Sequence, residues 1–167
     1  MSHIEHKKSA PRSVRIALLS CSSTRTVETD TSGLCLKRIL EEAGHRVLAH
    51  EVVKDNQREI AEAVTRLVSL QDVEAVVTTG GTGLTSDDVT IESIRPLFEK
   101  EFSGFGALFV QLSYPDVGAA CILSRATAGS IRRKPVICLP GSEKACELAA
   151  RSIIVPELAH MVKHLGY

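Results

Sequence analysis

The chain has 167 residues, 44 % hydrophobic and 24 % charged, which suits one globular domain with a sizeable core. Its 20 basic and 20 acidic residues cancel, which excludes the broad cationic field of a nucleic-acid binder, so any anionic ligand must be held by local groups. Aromatics are 4 % with no Trp, so the core is aliphatic and base-stacking platforms are few.

The opening MSHIEHKKSAPRS is charged and lacks the hydrophobic segment of a secretory signal. Residues 1–13 read as a flexible tail and residues 14–167 as a single domain. VRIALL at 14–19 reads as the first strand, followed by a Ser/Thr-rich loop at 20–30. Leu36, Ile39, Leu40 and Ala43 recur at i, i+3, i+4 and i+7, which predicts a helix from Thr31 or Ser32, stopped by Gly44. A second strand is expected over 46–53. Asn56 and Glu59 have capping-box spacing at the start of a helix that runs to about Ser69.

AVVT at 75–78 reads as a short buried strand, and the glycine loop TTGGTGLTSDDVT, residues 78–90, follows it directly. Thr90 is expected to cap a helix over 91–100. The glycines and proline of residues 102–125 suggest several short helices, and Gly129-Ser130 suggests a small β-hairpin at about 125–134. PVICL at 135–139 reads as a last inner strand. Pro140-Gly141-Ser142 then turns the chain into a final helix, which Pro156 should kink. No apolar run reaches the about 20 residues of a membrane span. Alternating strands and helices of this kind imply an α/β fold, doubly wound around a mostly parallel sheet. Ligands of such sheets sit outside the carboxyl ends of the strands, where the glycine loop, the 20–30 loop and Lys54-Asp55-Asn56 all fall.

The five cysteines show no C-x-x-C spacing, which points to a reduced cytoplasmic chain rather than a disulfide framework or a zinc site. Gly80, Gly81 and Gly83 let the backbone approach a ligand closely, and successive N–H groups in such a turn bind anions. Thr78, Thr79, Thr82 and Thr85 add hydroxyls. Neither the Walker pattern nor G-x-G-x-x-G is present, and no lysine lies between Lys54 and Lys100. Asp87 and Asp88 follow instead. Carboxylates beside a phosphate turn suit a magnesium ion that bridges protein and phosphate oxygens, the setting of phosphoryl or nucleotidyl transfer. By the residues alone, G-G-T-G is also compatible with a plain tight turn, and the aspartates with a solvated helix entry. Asp55 reads equally as a second metal ligand or as a turn residue bonded to backbone N–H groups. Ser142 fits an N-cap. Arg25 and Arg125 fit either phosphate pairing or surface ion pairs. His160 and His164 share a late helix face without a nucleophile–base pattern.

Several separated segments together carry a resemblance. STRT and DTSG within residues 23–33, TTGGTGLTSDDVT at 78–90, GFG at 104–106, SRATAG at 124–129 and PGS with KAC at 140–146 resemble the MoaB/Mog family of molybdenum cofactor biosynthesis proteins, most nearly its MoaB branch. The resemblance spans about residue 14 to the C-terminus. It implies a three-layer α/β/α molybdopterin-binding fold, a homotrimer or homohexamer, and recognition of molybdopterin. In active members it further implies adenylyl transfer from magnesium ATP to the molybdopterin phosphate. Asp88 matches the loop aspartate that activity requires, and Asp55 the other catalytic aspartate, both toward Mg2+. Thr79, Gly80, Gly81, Thr82 and Gly83 match the ligand loop; Ser113, Arg125, Pro140, Gly141 and Ser142 match the pterin-side pocket. The alternative is a molybdopterin carrier or scaffold of the same pathway without chemistry. A GTP-binding protein is disfavoured by the missing lysine and base-recognition motif. No membrane partner is expected.

Overall fold

Alternation along the first strand sets the layering. In β1 (Arg15–Cys21), Ile16 and Leu18 belong to one buried cluster and Ala17 and Leu19 to another. A strand buried on both faces needs helices on both. The computed structural model describes residues 13–166, and the tail expected at 1–13 lies outside them except for Ser13. The elements that follow β1 are α1 (Thr31–Glu42), β2 (Arg46–Val53), α2 (Gln57–Ser69), β3 (Ala75–Thr79), α3 (Thr90–Ile94), β4 (Lys100–Glu101), α4 (Ser103–Val117), β5 (Thr127–Ile131), β6 (Lys134–Leu139), α5 (Glu143–Ala149) and α6 (Val155–His164). The sheet order is β2-β1-β3-β6-β5-β4. The first four strands are parallel, and β5 and β4 continue the sheet antiparallel. Leu36 and Leu40 of α1, Phe109 of α4 and Leu158 of α6 pack on one face with Val77 and Ile137. Ile60, Val64 and Leu67 of α2 and Ile94 of α3 pack on the other with Val76 and Val136. This is the three-layer α/β/α architecture.

Six local expectations change. The helix expected at 91–100 ends at Ile94, a 3-10 turn takes Arg95–Leu97, and Lys100–Glu101 forms an edge strand. Pro96 explains the early end, because it has no N–H to continue the helix. Thr90 does not cap this helix: Val89 is the N-cap, and Thr90 is its first residue.

Residues 102–125 form one 15-residue helix, α4, and a 3-10 continuation at Gly118–Leu123, rather than several short helices. Gly106 has a packing role here, since a β-carbon would lie 2.8 Å from the Ala126 carbonyl oxygen. The whole segment Ser103–Leu123 is long and apolar enough to cross a membrane by length and composition, which corrects the reading that no run approaches that length. Its buried residues are Phe105, Phe109, Ser113 and Cys121.

The hairpin is also larger than expected. Its second arm is β6 itself, with the turn at Arg132-Arg133 in the left-handed region at φ 50° and 60°. Two side chains with a β-carbon are strained there. The Glu99 carboxylate offsets this by accepting both turn N–H groups, at 3.0 and 3.1 Å. Finally, the disruption expected at Pro156 takes the form of a π-helical turn, Ala150–Ile154, that directly precedes α6. The wider turn absorbs the missing N–H.

Candidate functional site

Parallel pairing brings the carboxyl ends of four strands to one edge. Cys21 is level with Val53, Ser20 with Thr79, and Thr79 with Leu139. The loops that leave these ends hold most of the residues singled out from sequence.

Gly80 and Gly81 turn the chain at φ 91° and 63°. A β-carbon on Gly80 would overlap the Cys21 carbonyl oxygen, and one on Gly81 would overlap the Thr90 hydroxyl. The turn is thus closed against β1 and α3 at once. The Gly80 N–H donates to the Leu139 carbonyl at 3.0 Å. The Gly83 N–H faces the Asp88 carboxylate. Of the four N–H groups of Gly80–Gly83, two are thus engaged within the protein, which leaves at most those of Gly81 and Thr82 in this turn for a ligand. Thr79 supports the site from below: its buried hydroxyl donates to the Pro140 carbonyl at 3.1 Å.

The two aspartates flank this turn. Oδ2 of Asp55 accepts from the N–H and the hydroxyl of Ser23, both at 2.8 Å. Its Oδ1 faces Gly81, 3.2 Å from where a β-carbon would stand. Oδ2 of Asp88 accepts from the Thr85 hydroxyl at 2.6 Å and the Thr85 N–H at 2.9 Å. The Thr85 hydroxyl in particular holds the Asp88 carboxyl below the usual carboxylate range, aided by the Thr85 and Gly83 N–H groups and the Arg125 charge against a smaller opposing effect of burial. Asp87 is exposed. Each half-buried aspartate therefore has one oxygen fixed by neighbouring donors.

Two adjoining cavities open here. The first, of about 380 Å³, is lined by Gly81, Thr82, Gly83, Asp88, Arg125 and Gly141 among others. The second, of about 340 Å³, is lined by Phe109, Ser113, Val117, Ser142, Lys144 and Leu148 among others. Ser124 and Pro140 belong to both walls. The hydroxyls of Ser113 and Ser142 have local partners: Ser113 donates to the Phe109 carbonyl at 2.8 Å, and Ser142 caps α5 by accepting from the Ala145 N–H at 3.2 Å. Arg125 is pinned, through Nε to the Thr82 carbonyl at 3.0 Å and through its terminal nitrogens to Glu92. A larger hollow of about 510 Å³ between α4 and α6 is lined by Phe105, Leu108, Ile153 and Met161 with Glu157 and His160. It contains no residue of the glycine loop.

A buried polar network missed by sequence reading braces the edge. Asp30 is fully buried and N-caps α1 by accepting from the Gly33 N–H at 3.1 Å. It also bonds the Ser20 hydroxyl and lies 2.9 Å from Nε2 of His50. Burial pushes the Asp30 carboxyl up, but the bonds from His50, Ser20 and Gly33 outweigh it and bring it down to about 2. Arg25 bonds Asp30 and Ser32, and the Ser32 hydroxyl donates to the Gly141 carbonyl at 2.7 Å. Asp30 and Ser32 fall in the DTSG segment, and the place of Asp30 just ahead of the predicted helix is a signal that fits its cap role. All five cysteines are buried and free of disulfides. Burial pushes Cys21, Cys138 and Cys146 up to about 12.

A family model described as a probable molybdopterin binding domain matches residues 17–160. The chain belongs to the MoaB/Mog family of molybdenum cofactor biosynthesis proteins. Among MoaB/Mog relatives, molybdenum cofactor biosynthesis protein B of Bacillus cereus is 48 % identical over 166 residues, 99 % of this chain and 98 % of that one. A crystal structure of a molybdenum cofactor biosynthesis protein B has a TM-score of 0.90 at 46 % identity, covering 94 % of this chain and 98 % of that chain. The crystal structure of the tungsten cofactor synthesizing protein MoaB from Pyrococcus furiosus has a TM-score of 0.83 at 36 % identity, covering 95 % of this chain and 100 % of that chain. The glycine-loop edge thus lies within a MoaB/Mog molybdopterin-binding domain.

Proposed function

We propose that this chain binds molybdopterin across the two joined cavities and adenylylates its terminal phosphate with magnesium ATP. One observation carries the reading: Asp55 and Asp88 flank the Gly81–Gly83 turn, each with one oxygen fixed by hydrogen bonds. Two carboxylates with phosphate oxygens completing the shell is the usual magnesium arrangement. No group of three or more metal-ligating side chains exists among the described residues, which suits an ion brought in with its nucleotide. Asp55 and Asp88 would hold that ion, and when bound it neutralises phosphate charge.

The remaining chemistry falls to positioning. The Gly81 and Thr82 N–H groups meet phosphate oxygens where charge builds on the leaving pyrophosphate. A molybdopterin phosphate oxygen attacks the α-phosphorus. The bond from that phosphorus to the β-phosphate oxygen breaks, and pyrophosphate leaves. The attacking phosphate is ionised near neutral pH, so no protein base is required. The apolar wall of the second cavity, with Phe109, Val117 and Leu148, suits the pterin.

The assembly we propose is a homotrimer or a pair of trimers. Tyr114, Val117, Ile122 and Leu123 are between 54 and 78 % exposed along one segment, an apolar surface that a second copy would cover. Free, buried cysteines suit the reducing cytoplasm.

Incubating the protein with molybdopterin and magnesium ATP, and analysing the pterin by mass spectrometry, tests the reading. Adenylylated molybdopterin supports it. Pterin that binds but returns unmodified would make the chain a carrier.

A further inference from the structure

Glu92 belongs to none of the motifs read from the sequence, yet its carboxylate takes a two-pronged pairing from Arg125. Nη1 donates to Oε1 at 2.6 Å and Nη2 to Oε2 at 3.2 Å. The same guanidinium donates through Nε to the Thr82 carbonyl at 3.0 Å. A guanidinium has five N–H donors in a fixed plane. This pairing uses three and leaves one on each terminal nitrogen. Arg125 and Asp88 line the same cavity as the Gly81–Gly83 turn. Glu92 does not line it.

An arginine free to move must give up rotamer freedom each time it meets a ligand. One held along an edge and at Nε has already lost it, and its plane is fixed. We propose that Glu92 is a positioning residue that orients Arg125, so that one N–H left on a terminal nitrogen is presented to a phosphate in the loop cavity. This rests on reading that cavity as a phosphate site. Glu92 acts only through Arg125 and touches no ligand.

The sign of the effect separates positioning from charge. Removing a carboxylate makes the surroundings of the cavity more positive, which by itself strengthens anion binding. Loss of orientation weakens it. The full-length protein is titrated with inorganic pyrophosphate and magnesium by calorimetry, as wild type, Glu92→Gln, Arg125→Ala and the double variant. Glu92→Gln should bind on the order of tenfold more weakly, about the worth of one charge-assisted hydrogen bond. The double variant should bind like Arg125→Ala alone, a result that a general structural role for Glu92 would not give. Equal or tighter binding by Glu92→Gln overturns the proposal, as does further weakening when it is added to Arg125→Ala. A wild-type protein that binds no pyrophosphate overturns the phosphate-site reading itself.

Discussion

The backbone N–H and the hydroxyl of Ser23 both donate to Oδ2 of Asp55, each at 2.8 Å, across 32 residues of chain. Ser23 lies in the loop after β1 and Asp55 in the loop after β2. The bond therefore ties two neighbouring strand ends and turns the other Asp55 oxygen toward Gly81. Asp55→Asn should lower adenylylation at least about a hundredfold by removing the charge, with molybdopterin affinity within about twofold. Ser23→Ala keeps the backbone donor and should cost about tenfold or less, near the worth of one charged hydrogen bond. Steady-state rates and pterin fluorescence titration check both. A Ser23→Ala variant as inactive as Asp55→Asn would contradict the ranking.

A second prediction concerns pH. The Thr85 hydroxyl donates to Asp88 at 2.6 Å and is the main cause of its lowered carboxyl. In Thr85→Val that bond is gone, so the Asp88 pKa rises. Activity that needs the carboxylate then fails at a higher pH on the acid limb, while the alkaline limb stays in place. The pH dependence of turnover in the two proteins is the measurement. An acid limb that does not move would sink the assignment of Asp88.

Asp30 gives a stability test. Its carboxyl sits at about 2 in the folded protein against an ordinary value of 3.8. A depressed carboxyl adds stability above its unfolded value, and that stability is lost as pH falls toward the folded value. The difference corresponds to about 2 kcal/mol at neutral pH. Urea unfolding of wild type and Asp30→Asn should differ by about that amount at pH 7. The gap should close between about pH 5 and pH 2. A gap independent of pH would mean that shape, not charge, makes Asp30 matter.

The exposed apolar segment after Tyr114 makes a prediction about assembly. Val117 is 54 % and Ile122 is 78 % exposed in the single chain. Val117→Glu with Ile122→Glu should shift the protein to monomers in multi-angle light scattering, since a charge at the core of such a contact is not tolerated. A wild-type protein that is already monomeric at micromolar concentration would refute the homo-oligomer.

Much of this was readable from residue order, for physical reasons. The period of Leu36, Ile39 and Leu40 fixed α1, and they are indeed buried. The capping spacing of Asn56 fixed the start of α2: its side chain accepts from both Arg58 and Glu59 N–H groups. Glycine and proline misled the reading of residues 102–125. Gly104 and Gly106 suggested breaks, but Gly106 serves the close approach of α4 to Ala126. At the sheet edge, the placement of the glycine loop and of Asp55 was legible, because each directly follows a strand end. Glu92 and His50 were not, nor were the bonds of Ser23 to Asp55 and of Thr85 to Asp88, because such pairings depend on the folded loops or on ordinary-looking side chains. The loop N–H count was also too generous. The Leu139 carbonyl takes the Gly80 N–H, and no sequence pattern reports that.

The most direct test of adenylyl transfer is pyrophosphate release from ATP and purified molybdopterin, with magnesium present or chelated. The wild type should release one pyrophosphate per molybdopterin consumed, only with magnesium, and the Asp55→Asn and Asp88→Asn variants should be nearly silent. Release that persists in both variants would contradict the account, as would its absence from a wild type that binds the pterin.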